Sequence, residues 1–279
     1  MVVWNPNGYV ISSPFTFNVV TGTLKAANTD LASMINFGAQ PTTVDAGATL
    51  DLGGFGLSLT NLLGGGAVID SGAAATLTLA AANFSGAISG PLSLVAGGAV
   101  TLSGANTYTG TTTINSGDSL QLGVGGATGS IGAGAISDAG TLSIDRNNAI
   151  TLTNSISGAG SLQQLGTGVT SINTANTYIG GTTLSAGTLA IGNGAALGTG
   201  TLTFANGELL ATATATFANV LNLSASGSTT TFAAAHGATL TMTGGVTFAG
   251  GNTIDIGAPG QDGEVVWSGS PAGTAPGDR

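Results

Sequence analysis

The sequence predicts an all-β chain wound as a right-handed parallel β-helix, a β-solenoid. Three observations carry that prediction. Short alternating runs such as "ATLDLGG", "TLTLA", "PLSLV", "TLSI", "ITLT", "TLTF" and "TLTMTG" recur along the chain, each with one apolar face and punctuated by Gly, Asn or Ser. A long segment is used twice, at an offset of 70 residues. Only 5% of the 279 residues are charged, whereas 42% are apolar and 49 are Gly, which suits strands and tight turns rather than surface helices.

Taken from the N-terminus, residues 24–37, "LKAANTDLASMINF", are the one stretch with helical periodicity. Ala27, Leu31, Met34 and Ile35 share a face there, and a short helical turn on a loop is expected. Strands follow, with Leu50, Leu52, Leu77, Leu79, Leu102, Ile114 and Leu189 predicted to fill a narrow interior. The first repeat core spans 87–123 and the second 155–192. Asn106, Tyr108, Gly110, Thr112, Thr113 and Gly117 of the first align with Asn176, Tyr178, Gly180, Thr182, Thr183 and Gly187 of the second.

A unit that cannot bury its own apolar face stacks on its neighbours, so repetition favours a solenoid over a sandwich. If the offset of 70 residues is three coils, each coil takes 70/3, about 23 residues. Residues 1–279 then form one continuous segment of roughly 12 coils, about 60 Å long at ~4.8 Å per stacked strand. Right-handed winding follows from the general preference for right-handed parallel crossovers. "VVW" stands at both Val2–Trp4 and Val265–Trp267, which hints at a larger repeat.

Composition also excludes partners. The net charge is −9, and Lys25, Arg146 and Arg279 are the only Lys or Arg residues, so a run of phosphates cannot be neutralised and no nucleic acid is expected. Without cysteine there is neither a disulfide nor a thiolate metal site. No apolar run reaches the length of a spanning helix, and the first ten residues lack the pattern of a signal peptide.

"LSGANTYTGTTTINSGDSLQLG" and "INTANTYIGGTTLSAGTLAIG" resemble the passenger-associated transport repeat of Gram-negative autotransporters, and the likeness runs from about 45 to 255. The resemblance implies a cell-surface passenger in type V secretion, an adhesin or stalk, carried by an outer-membrane translocator barrel. Neither a signal peptide nor barrel strands are recognised in this chain.

Candidate chemistry is sparse. "GDSL" at 117–120 suggests a nucleophilic Ser119, but the second copy replaces it with "GTL". The only imidazole, His236, has no second His or Cys to share a metal with, and it lacks the acid three residues before it that a GDSL esterase carries. Asp145 and Arg146 are a poor start for a polysaccharide-degrading site, which needs clustered carboxylates and bases. Thr-rich runs raise an ice-binding solenoid as a further alternative. No catalytic, cofactor or metal residues are assigned. The repeat residues are read as structural: Gly110 and Gly180 before Thr pairs at corners, Gly117 and Gly187 at turns into strands. Asn106 and Asn176 are expected to bond local backbone, and Tyr108 and Tyr178 to cover corners with their hydroxyls in water. The expected role is a non-enzymatic surface segment. The outer faces suit glycans or self-association.

Overall fold

A computed structural model describes residues 16–27, 41–223, 227–248 and 251–269. Among them all regular structure is β-strand, with no helix. Alternation puts every second side chain of a strand on one side. Here the apolar set of each strand faces a common axis.

Each coil runs over three faces. The first carries Thr42–Val44, Leu62–Gly64, residues 82–84 and 99–102, then Ser119–Gly126, Thr141–Arg146, Ser161–Gln164, Thr182–Leu184, Leu202–Phe204 and Leu221–Leu223. The second carries Ala48–Asp51, Ala67–Ile69 and Ala87–Ser89, and later Ile150–Leu152, Val169–Ile172, Thr188–Ile191, Gly207–Ala211 and Thr229–Ala234. The third carries Leu57–Leu59, residues 76–79 and 93–96, then Thr112–Ile114, Ile136–Asp138, Ile156–Ser157, Ala215–Phe217, Thr239–Met242 and Glu264–Trp267. Thr76–Phe84 and Ser93–Leu102 are long because they bend through the corner from third face to first. The strands of a face pair in parallel, and twelve of them stack in the longest path. At about 4.8 Å per step that path is roughly 50 Å long.

The coil is shorter than the repeat offset suggested. Thr42↔Leu62, Leu142↔Leu162, Leu162↔Thr182 and Thr182↔Leu202 are all 20 residues apart. Longer steps, such as Leu120↔Leu142, carry outward loops. The estimate of about 23 fails because 70 residues is not a whole number of coils. It is three coils and one further face.

The predicted interior residues, Leu50, Leu52, Leu77, Leu79, Leu102, Ile114 and Leu189, are all fully buried. Outside, Thr101, Gln121, Ser143, Gln163, Thr183 and Thr203 form a column in register on the first face. On the third face Ser58, Thr78, Val95, Thr113, Ser137 and Ser157 do the same. Val95 separates Thr78 from Thr113, so a regular Thr-x-Thr array over successive coils is interrupted.

Leu24 and Lys25 end the strand Gly22–Lys25. Residues 26–27 of the expected helical turn have no regular structure, and 28–37 lie outside the described residues, as does Val2–Trp4. Val265–Trp267 closes a third-face strand, with Trp267 against Phe232 and Phe248.

Candidate functional site

The two repeat copies build the same buried corner. In the first, Thr107 N–H donates to Ile88 O, which stacks the Asn-Thr-Tyr segment on a second-face strand. In the second, Thr177 N–H donates to Ile156 O, on a third-face strand. Each following Thr pair then enters the next face: Thr112 pairs with Ile136 on the third, Thr182 with Leu162 on the first.

Asn106 and Asn176 are buried, and each ties three coils together. The Asn106 Oδ1 accepts from Ile88 N–H below at 2.9 Å, while its Nδ2 donates to Ser130 O above at 2.7 Å. Asn176 repeats this with Ile156 N–H at 2.8 Å and Ala196 O at 2.7 Å. These bonds reach 18 to 24 residues along the chain, beyond the local backbone expected from the sequence, and Asn106 Nδ2 also makes the expected local bond, a long one of 3.4 Å to Gly104 O. The side chain is buried because the corner turns it inward, and a buried amide must find partners in the adjoining rungs.

The tyrosines also differ from expectation. Tyr108 and Tyr178 are wholly buried, and their hydroxyls meet Thr112 Oγ1 at 2.7 Å and Thr182 Oγ1 at 2.6 Å rather than water. Burial pushes the Tyr108 hydroxyl up to about 12, against the opposing effect of its bonds to Thr112 and Gly132. The Tyr178 hydroxyl is pushed up further, by burial and, despite its bond to Thr182, by the Asp138 charge. Both rings are neutral at ordinary pH and serve as packing.

The glycines divide by cause. Gly110 and Gly180 have no room for a Cβ, which would strike Leu92 O or Gly160 O of the coil below. Gly117 and Gly187 hold φ of +84° and +67°, where L residues are strained. A Cβ on Gly187 would also strike Gly168 O, whereas one on Gly117 would meet open space.

Sequence reasoning missed other residues of the same kind. Asn154 Nδ2 donates to Gly132 O and Gly134 O, and Asn219 Nδ2 to Gly198 O and Gly200 O. Gln164, buried, donates to Gly166 O at 2.8 Å and accepts from Thr170 Oγ1. An amide two residues before an apolar strand start ("NSIS", "NVLNL") is the signal that marks the two asparagines.

The residues with catalytic potential do not converge. Ser119 is a half-buried rung of the first face between Ala99 and Thr141. His236 lies more than five coils further on, exposed, with Nδ1 at 2.9 Å from Asp262 Oδ1. Arg146 ends the strand Thr141–Arg146: Nη2 donates to Ala127 O at 2.7 Å and Nε to Asn148 Oδ1 at 3.0 Å, with a further Nη1 bond to Gly129 O, clasping the loop after Gly126. Among the described residues no three of His, Asp and Glu gather as metal ligands. What this arrangement performs is the locking of coil to coil.

A parallel β-solenoid keyed by a reused Asn–Tyr–Thr corner is the class of protein these features define. Residues 97–122 and 162–191 match the family described as the passenger-associated transport repeat, so the chain carries autotransporter passenger repeats. The adhesin BmaC autotransporter of Brucella suis biovar 1 (strain 1330) is 33% identical over 235 residues, 71% of this chain and 7% of that adhesin. The chain therefore spans less than a tenth of the length of that relative. No solved structure matches the chain.

Proposed function

We propose that this chain is a non-enzymatic structural segment of an autotransporter passenger, acting as a surface stalk or adhesin. The observation that carries the reading is where the family motif lies. Its Asn, Tyr and Thr side chains are spent inside the rod, holding neighbouring coils together. A motif so placed serves the folding and rigidity of the passenger rather than a reaction.

The position that follows is the cell surface, tethered to the outer membrane through a translocator barrel. Contact with the outside is left to the in-register hydroxyl and amide columns of the first and third faces, whose uncharged groups suit glycans or a neighbouring rod. The test is to treat intact cells with an external protease and probe for this segment with antibody. Loss of the segment while cytoplasmic markers survive is expected, and beads coated with the 279-residue chain should then bind glycan-bearing surfaces or one another. Protection from protease would sink the surface reading; inert beads would remove the adhesive part and leave a stalk.

A further inference from the structure

Three acids of the rod are buried to a similar degree: Asp51 and Asp70 at 4% exposure and Asp138 at 1%. Their surroundings differ sharply. Asp51 accepts from Gly53 N–H, Ser71 N–H and the Ser71 hydroxyl, with Lys25 Nζ at 3.6 Å. Asp70 accepts from the N–H groups of Gly54, Gly72 and Ala75. Asp138 accepts from Gly140 N–H alone, at 2.9 Å, and its Oδ2 is buried without a partner. The fold supplies the first two carboxylates with three hydrogen-bond donors each and the third with one.

The niche around Asp138 is walled by glycine. A Cβ on Gly160, one coil above, would strike the carboxyl itself, and Gly158 at φ +118° lies over the Asp138 backbone. Tyr178, another coil up, is the titratable group that senses the carboxyl's charge. Strands Thr112–Ile114 and Ile156–Ser157, below and above, bring no titratable side chain. Asp118 in the turn below and Asp145 and Arg146 at the end of the next strand are the charges on packed elements, and none bonds the carboxyl.

We propose that Asp138 is a proton-dependent lock at the middle of the rod, its neutral carboxyl holding the corner between third and first faces closed and its ionisation loosening that corner. Burial raises the group to about 6, against the opposing Gly140 N–H bond. A carboxyl raised in the folded state contributes stability that is complete below its unfolded value near 3.8 and is lost as pH rises through about 6. The rod therefore holds more firmly in mildly acidic surroundings than at neutral pH.

The experiment is denaturant unfolding of the full chain at pH 5 and pH 8, both above the sequence pI of about 4.1, with Asp138→Asn alongside. In the native chain the folding equilibrium constant should be about tenfold larger at pH 5, and in Asp138→Asn that difference should vanish. Equal pH slopes in the two proteins would overturn the proposal. Should Asp138→Asn not fold, the 13Cγ shift of Asp138 in the native chain decides the matter. A midpoint above pH 5 supports the lock, and one at pH 5 or below ends it.

Discussion

The first repeat copy and the second share their bonds but not their place on the rod. Asn106 stacks over the second face and Asn176 over the third, so each part of the second copy lies one face further round than its counterpart. Even so, both asparagines bond upward and downward, and both tyrosines close on a Thr four residues on. The motif is thus a property of a corner, and the two corners it occupies, second face to third and third to first, are near enough alike to accept it. Its requirements are local: an inward amide, an inward ring and a glycine where the coil below comes close.

Replacing the tyrosines tests this equivalence most severely. Tyr108→Ala and Tyr178→Ala should each cost about 3–5 kcal/mol in denaturant unfolding, since both rings are fully buried. A small loss at one site would mean that the corners are not interchangeable. The glycines should separate the copies. Gly117→Ala meets only backbone strain, about 1 kcal/mol, whereas Gly187→Ala adds a collision with Gly168 O and should cost about 3 kcal/mol.

Asn106→Ala and Asn176→Ala should lose about 2–3 kcal/mol apiece, because each leaves a buried N–H and a buried carbonyl behind. A finer distinction lies in alkali. A tyrosine raised in the folded state contributes stability that is whole below about pH 10 and falls as pH climbs towards the raised value. For Tyr108, raised to about 12, the loss between pH 8 and pH 11 is about 1.4 kcal/mol, and Tyr108→Phe should remove that part of the slope. Tyr178→Phe should flatten the slope at least as much, because Asp138 adds to the burial of Tyr178. The reverse order would mean that Asp138 does not act on Tyr178.

Much of this was legible in the chain itself. Leu50, Leu77 and Leu102 sit in period-2 alternation, and local alternation is enough to assign a strand and its inner side. The repeated Asn, Tyr and Gly flagged the corner. What the alternation cannot carry is phase. Dividing the repeat offset by three fails because nothing in one copy reveals which face it occupies; that depends on the loop after Gly126 and on every step between. The partners of Asn106 were hidden for the same reason, lying one coil above and one below. Asp138 reads in sequence much like Asp51, as an acid at a strand end before Gly. Only the adjoining coils decide that one receives Ser71 and Lys25 and the other a bare glycine wall.

The offset of three coils and a face has a mechanical consequence. Copies spaced in that way advance around the axis like a screw thread and return to their starting side only on the third step. A rod keyed along a single edge would have one stiff side and one hinge line. Threaded keys spread the resistance to bending evenly around the circumference, so a slender shaft built on this spacing has no preferred direction in which to fold over.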